Sequence, residues 1–249
     1  MRLLIGIDDT DDLDSPGTGH IAERLASMIP ERGWGTRGAI TRHQLYVHPD
    51  IPYTSHNSSM CFPAEMEAGL LAGFIAAASL LLEESSAPLS DPGLCVAALG
   101  ALPSPGEAGG ELTAFGRRAK VEVLDKEAAY ALARKFQIHL SEHGGTGGGV
   151  IGALAGVGLR QGGEDGRFRG KLESIPCGKA MSARELLKAT ASESIRTLEG
   201  RELGPDEPVL VGDFLKAVLL SGRKTLLVER KDGGEAEWMT ARKETLRRY

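Results

Sequence analysis

A short apolar run at residues 3–7 stops abruptly at Asp8-Asp9-Thr10-Asp11-Asp12, and the turn formers Ser15, Pro16 and Gly17 follow closely. That order predicts a buried strand whose C-terminal end delivers several acidic side chains into one loop. Sheets with helices on their faces bind ligands outside the carboxyl ends of such strands. Carboxylates crowded into one loop repel one another unless a cation sits among them. A few hard oxygen ligands, with room left for water and phosphate, suit magnesium. Asp8, Asp9 and Asp11 are therefore candidate metal ligands and catalytic groups. Asp12 and Asp14 read equally well as surface-turn residues or as a cap on the next helix.

The chain has 249 residues and a net charge of −5. That length accommodates one large domain or two ordinary ones. The acidic balance gives no support for nucleic acid or a membrane as partner. Cys61, Cys95 and Cys177 lie far apart without a C-x-x-C pair. They provide no zinc ribbon or disulfide framework and fit a reducing cytoplasm. The N-terminus turns acidic too early for a signal peptide. The longest apolar stretch, residues 68–82, reads as too short and too rich in Ala and Gly to span a bilayer.

Helical spacing marks residues 19–29, and residues 36–47 read as extended. The prolines at 49 and 52 impose a rigid turn. A polar run at residues 54–59 follows, including Ser55, His56, Asn57 and Ser58. A strand is expected at 60–62 and a largely buried helix over 63–84, with Pro63 near its start. Further expectations are a strand at 93–102, a loop at 103–110 and a helix over 125–142 capped by Asp125. Beyond them come a short strand at 168–175 and a helix over 181–198 with Ser182 and Glu185 as a capping box. The tail suggests a strand from 209, a helix at 213–220, and strands at 225–229 and 237–239 about an Asp232-Gly233-Gly234 turn.

A second Gly-rich stretch runs from His143 through Gly147, Gly148 and Gly149 to Gly158. Glycines at a helix start leave backbone N–H groups open, an arrangement that cradles phosphate. The same pattern also describes a plain loop leading into a closely packed helix, and spacing does not separate the two readings. It is no Walker A motif, since no Gly-Lys-Ser/Thr follows. With a helix expected before it, it is no clean Rossmann fingerprint either.

Three stretches together resemble the archaeal isoleucine-tRNA 2-agmatinylcytidine synthetases. Residues 5–11 with Ser15-Pro16-Gly17 are similar to that family's N-terminal signature. His48-Pro49-Asp50-Ile51-Pro52-Tyr53 resembles its Asn-Pro-Asn-Ile-Pro segment. Residues 146–155 are similar to its Gly-rich stretch ending in Ile-Gly-Ala-Leu-Ala. The resemblance reaches to about residue 175. It implies an ATP-using kinase-like domain followed by a ferredoxin-like domain. In that family ATP is cleaved, a cytidine is activated by phosphorylation, and agmatine displaces the phosphate. Thr10, Gly17, Thr18, Gly19, Ser55, Asn57, Ser58 and Gly147 to Gly149 are the candidate ATP-binding set, beside the carboxylates.

The departures are specific. The family's Cys-Thr-Thr, which includes a phosphorylated threonine, is replaced by Gly19-His20-Ile21, with Thr18 close by but poorly aligned. His20 stands where the phosphate acceptor lies. With His56 it is placed for proton transfer or charge stabilisation, or simply for a structural hydrogen bond. The family's Lys-Thr-Arg-Gly-Asn-Gly is replaced by residues 54–59, without its phosphate clamps. The OB-fold and zinc ribbon that hold tRNA have no counterpart in this sequence.

The expected fold is α/β (α+β). A kinase-like domain is expected over 1–92, a ferredoxin-like domain over 93–204 and a small α+β extension over 205–249. Three functions compete. The first is an ATP- and magnesium-dependent phosphoryl-transfer or ligase-type enzyme acting on a small molecule such as an amine. The second is a tRNA-modifying enzyme that borrows its RNA-binding module from a partner. The third is a non-catalytic nucleotide-binding module. Homodimerisation is the base-rate assembly.

Overall fold

The computed structural model describes residues 1–12, 15–51, 57–102, 109–170, 172, 175–231 and 237–249. The chain is mixed α/β and divides into two compact units, Met1–Gly162 and Gly163–Tyr249.

The first unit contains β1 (Arg2–Asp8), α1 (Thr18–Glu31), β2 (Gly35–Arg37), β3 (Thr41–Gln44), β4 (Ser58–Met66) and α2 (Leu71–Ser85). It continues with β5 (Gly93–Ala98), α3 (Gly109–Arg118), α4 (Lys126–Lys135), β6 (His139–Glu142) and α5 (Gly149–Gly162). Its strand order is β6-β5-β1-β4-β3, with β2 also on β4. All of these pairs are antiparallel.

Both faces of the sheet are covered, which explains why β1 reads as a continuous apolar run rather than an alternating one. Leu3, Ile5 and Ile7 pack with Ile21, Leu25 and Ile29 of α1 and with Phe74, Ala78 and Leu82 of α2. Leu4, pointing the other way by the two-residue strand period, packs with Leu112, Phe115, Ala133 and Leu154 of α3, α4 and α5. α5 lies almost on the sheet backbone, so that a Cβ on Gly6 would collide with the Ala153 carbonyl oxygen.

The second unit contains β7 (Arg167–Phe168), β8 (Ala180–Ser182), α6 (Ala183–Thr190), β9 (Ser194–Thr197) and β10 (Pro208–Leu210). β11 (Ala217–Leu220), β12 (Arg223–Arg230), β13 (Trp238–Thr240) and α7 (Lys243–Leu246) complete it. The order is β7-β11-β12-β13-β10-β8, with β9 also on β12. Ile195, Val209, Leu219, Leu226 and Val228 form its own core. The expected capping box is present, with Ser182 and Glu185 satisfying each other's backbone N–H groups.

Several expectations are corrected. Residues 63–66 extend β4 instead of starting a helix. Pro63 is opposite Leu4 in a pair whose N–H groups point away from β1. On its other side β4 changes partner from β2 to β3, so a missing N–H breaks no ladder bond there. α2 starts only at Leu71 and buries one stripe, Phe74, Ala78 and Leu82, rather than most of its circumference. The run Ala68–Ser85, at 18 residues and mean hydropathy 1.4, is long and apolar enough to cross a membrane by length and composition. Its buried stripe instead anchors it in the core of the first unit.

The helix begun at Asp125 ends at Lys135, and Gln137 takes a left-handed φ of 53°. Residues 139–142 are then β6. His139, Ser141 and His143 project in a row, with Ser141 Oγ 3.0 and 2.8 Å from the two Nε2 atoms. α6 stops at Thr190, where Ala191 closes it in the left-handed region, and β9 follows. Residues 217–220 form a strand, not a helix. The 232–234 turn and most of the 103–110 loop lie outside the described residues.

The expected divisions after 92 and 204 do not coincide with the compact units. β5 pairs with β1 along its whole length, so a cut at 92 would split one sheet. The β-α-β-β-α-β connectivity expected over 93–204 occurs instead within residues 2–98, as β1-α1-β3-β4-α2-β5.

Candidate active site

Antiparallel pairing gathers one edge of the first unit's sheet around the end of β1. Asp8 stands opposite Gly93 at the start of β5, and Gly93 opposite Glu142 at the end of β6. Ile7 stands opposite Met60, two residues into β4. The acidic loop, the residues before β4, the residues before β5 and the Gly-rich loop after β6 therefore meet at one place. α1 and α5 both begin at this edge, and helix N-termini carry partial positive charge.

A cavity of about 160 Å³ opens here. Its polar lining includes Asp8, Asp9, Asp11, Thr18, Asn57, Ser58, Asp91, Thr146, Gly148 and Gly149, while Leu45, Val123, Leu124 and Ile151 give it an apolar wall. Asp8 is 8% exposed. Its carboxylate lies against the first turns of α5, in space that a Cβ on Gly152 would otherwise fill. Burial, then the charges of Asp9 and Asp11, push the Asp8 carboxyl well above the usual carboxylate range. Asp9 adopts a left-handed φ of 52°, a backbone state that costs a non-Gly residue free energy and accumulates at functional sites. Burial, helped by the charges of Asp91 and Asp11, pushes its carboxyl up to about 6. The Thr18 hydroxyl, in the first turn of α1, donates to Asp11 Oδ1 at 2.6 Å.

Asp91 is not legible as a site residue, because a lone Asp before Pro92-Gly93 looks like a turn. In the structure it ties the edge together. Its backbone N–H supports the Asp9 carboxylate, and its carbonyl accepts from Gly149 N at 3.0 Å. Its side chain accepts from the Thr146 backbone N–H at 2.5 Å and from the Thr146 hydroxyl.

Of the residues singled out in the sequence, Asp8, Asp9, Asp11, Thr18, Asn57, Ser58, Gly148 and Gly149 share this cavity. Others do not. Thr10, Gly17 and His20 line a second cavity, between α1 and α2. His20 is therefore not assembled with the carboxylates, because on α1 it lies two residues beyond Thr18 and faces another direction. Gly19 is buried in the first turn of α1. Gly147 packs against the Glu142 carboxylate, with φ 76°. Ser55 and His56 lie outside the described residues.

Two chemical expectations also change. The Gly149 N–H is bonded to Asp91 rather than open for phosphate, and close packing accounts for the glycines along α5. The Gly-rich loop follows a strand, not a helix. Among the described residues no group of three His, Cys, Asp or Glu side chains has the geometry to hold a metal ion. A ready-made centre of Asp8, Asp9 and Asp11 is thus not formed: Asp11 is engaged by Thr18 and Asp8 is pressed against α5. One or two carboxylates still suit magnesium when phosphate oxygens and water complete its shell.

Neither a protein-family model nor a curated protein matches the chain. Solved structures do. A complex of TiaS with tRNA and ATP aligns at 26% identity with a TM-score of 0.54, covering 64% of this chain and 36% of that one. This chain resembles TiaS. Apo TiaS, a tRNA agmatidine synthetase, aligns at 25% identity and TM-score 0.52 over 64% of this chain and 35% of its own. A tRNA fluorescent labeling enzyme aligns at 27% and 0.54 over 64% and 36%. The chain spans about a third of the length of these TiaS chains. The motifs resembling the synthetases all lie in the first unit, between residues 5 and 155.

Proposed function

We propose that the first unit is an ATP-dependent phosphoryl-transfer module in a ligase-type enzyme related to TiaS. The observation that carries the reading is the Thr18 hydroxyl held at 2.6 Å by the Asp11 carboxylate, inside the cavity bounded by Asp8 and Asp9. A carboxylate bonded to a hydroxyl is placed to take its proton as the oxygen attacks phosphorus. In that step the bond from Thr18 Oγ to the γ-phosphorus forms, the bond from γ-phosphorus to the β,γ-bridging oxygen breaks, and ADP leaves. The hydroxyl proton passes to Asp11. Thr18, rather than His20, is the acceptor in this reading.

Phosphoryl transfer depends mainly on positioning and charge neutralisation. Magnesium bound with ATP would supply the neutralisation, held by Asp8 and Asp9. Both carboxyls are pushed up by burial first and by neighbouring carboxylates second, and a cation bound between them would favour their ionised forms.

The final acceptor in this reading is a small molecule, an amine among the candidates. The apolar wall of Leu45, Val123, Leu124 and Ile151 beside carboxylates suits an aliphatic cation. A tRNA substrate is the second reading, favoured by the TiaS complexes with tRNA. It requires RNA contacts beyond the first unit, where acidic residues outnumber basic ones. Incubation with ATP and magnesium, with and without amines, followed by resolution of AMP, ADP, phosphate and pyrophosphate, tests the proposal. Amine-stimulated formation of ADP supports it, and AMP with pyrophosphate would contradict the γ-phosphoryl step. ATP binding without turnover under every amine, together with unmodified Thr18, would leave only a binding module.

A further inference from the structure

The cavity between α1 and α2 has a chemistry opposite to that of the acidic one. It occupies about 230 Å³ and is lined by Thr10, Ser15, Gly17, His20, Arg24 and Ser85, among others. α1 begins beside it at Thr18, behind Gly17 with φ 85° and no side-chain cap among the described residues. The His20 N–H donates to the Gly17 carbonyl at 2.9 Å, and Thr18 bonds the Asp11 carboxylate, so the helix start adds its dipole to this cavity rather than a row of open donors. A second, independent feature points to a ligand. The Thr10 hydroxyl, in a residue only 1% exposed, has no hydrogen-bond partner among the described residues, and buried hydroxyls ordinarily have one. Arg24, one turn beyond His20 on α1, bonds the Ser85 hydroxyl at 2.8 Å rather than a carboxylate. Asp8, Asp9 and Asp11 line the other cavity. Glu84 is the one carboxylate among the described residues lining this one.

We propose that this cavity is a binding site for a phosphate-type oxyanion, distinct from the acidic cavity and independent of any metal. The Arg24 guanidinium supplies charge, and His20 and the Thr10 hydroxyl supply directed donors. The volume accommodates a tetrahedral anion with ordered water. The site does not depend on the ATP reaction proposed above, since no carboxylate of that reaction lines it.

Inorganic phosphate titrated by calorimetry into the whole protein, without ATP or magnesium, tests the assignment, with phosphorylated serine as a parallel probe. Saturable binding that weakens tenfold or more in Arg24→Gln, and measurably in the near-isosteric Thr10→Val, is the expected result. Arg24 is solvent-exposed, so the first variant leaves the core intact, and an unchanged circular dichroism spectrum verifies this for both. Tighter binding of phosphoserine than of phosphate identifies an ester as the natural occupant, and the reverse identifies the free ion. Absence of saturable binding, binding that needs magnesium, or binding indifferent to Arg24→Gln would each overturn the proposal. Loss of ATP turnover with phosphate binding intact would overturn only the reaction proposed earlier.

Discussion

At the scale of single residues, the acidic loop trades stability for charge. The Asp9 carboxyl is pushed up to about 6 from the ordinary 3.8, so the folded chain holds that proton more tightly than the unfolded chain. Its contribution to stability is therefore complete below about pH 4 and is lost as the pH rises to about 6. Asp9→Asn should remove this decline and stabilise the protein at neutral pH by about 2 kcal/mol, allowing for partial solvent screening. The same change should abolish magnesium-dependent ATP turnover, the usual conflict between a strained site and a stable one. Thermal melts at several pH values, with turnover on the same samples, measure both. A variant that melts like wild type at neutral pH and turns over normally would remove Asp9 from the site.

Asp8, Asp9 and Asp11 were legible in the sequence because an apolar strand ending in carboxylates is a local pattern. Asp91 and Thr146 were not, because their importance comes from pairing between distant strands. The same limit explains His20. Sequence proximity put it with the carboxylates, whereas helical geometry turns it into the neighbouring cavity.

At the scale of elements, α5 owes its place to glycine more than to apolar side chains. A Cβ on Gly6 meets the Ala153 carbonyl, and backbone there has nowhere to move. Gly6→Ala should cost about 1–3 kcal/mol by overpacking. Gly73, in the interior of α2, has nothing within 4 Å of the corresponding position. Gly73→Ala should stabilise by about 0.5–1 kcal/mol through helix propensity. Urea midpoints distinguish the pair, and equal shifts would contradict the close packing of α5 on β1. Capping rules located α6 and the start of α4. They failed over 63–66 and 139–142, where apolar or mixed spacing fits a helix but the sheet claims the backbone.

At the scale of the whole molecule, each compact unit has its own core. The acidic excess belongs to the first, while the second carries slightly more basic than acidic residues. The motifs resembling the synthetases and the acidic cavity both belong to the first unit. A chain ending at Gly162 should therefore fold and bind ATP with magnesium about as well as the full chain, as calorimetry would show. Loss of ATP binding in a folded truncation would place part of the nucleotide site in residues 163–249. Fold class was legible in the pattern of elements. The unit boundary was not read, although Gly162-Gly163-Glu164-Asp165-Gly166 is a Gly-rich polar turn, because the more prominent Pro- and Ser-rich break near 85–92 joins α2 to a strand of the same sheet.

Peptide mass mapping of the protein after incubation with magnesium and ATP tests phosphoryl transfer at the Thr18–Asp11 pair most directly. The expected result is one phosphoryl group on the peptide containing Thr18, absent in Thr18→Val and strongly reduced in Asp11→Asn. Phosphate on another residue, or on none while ATP is being consumed, would contradict it.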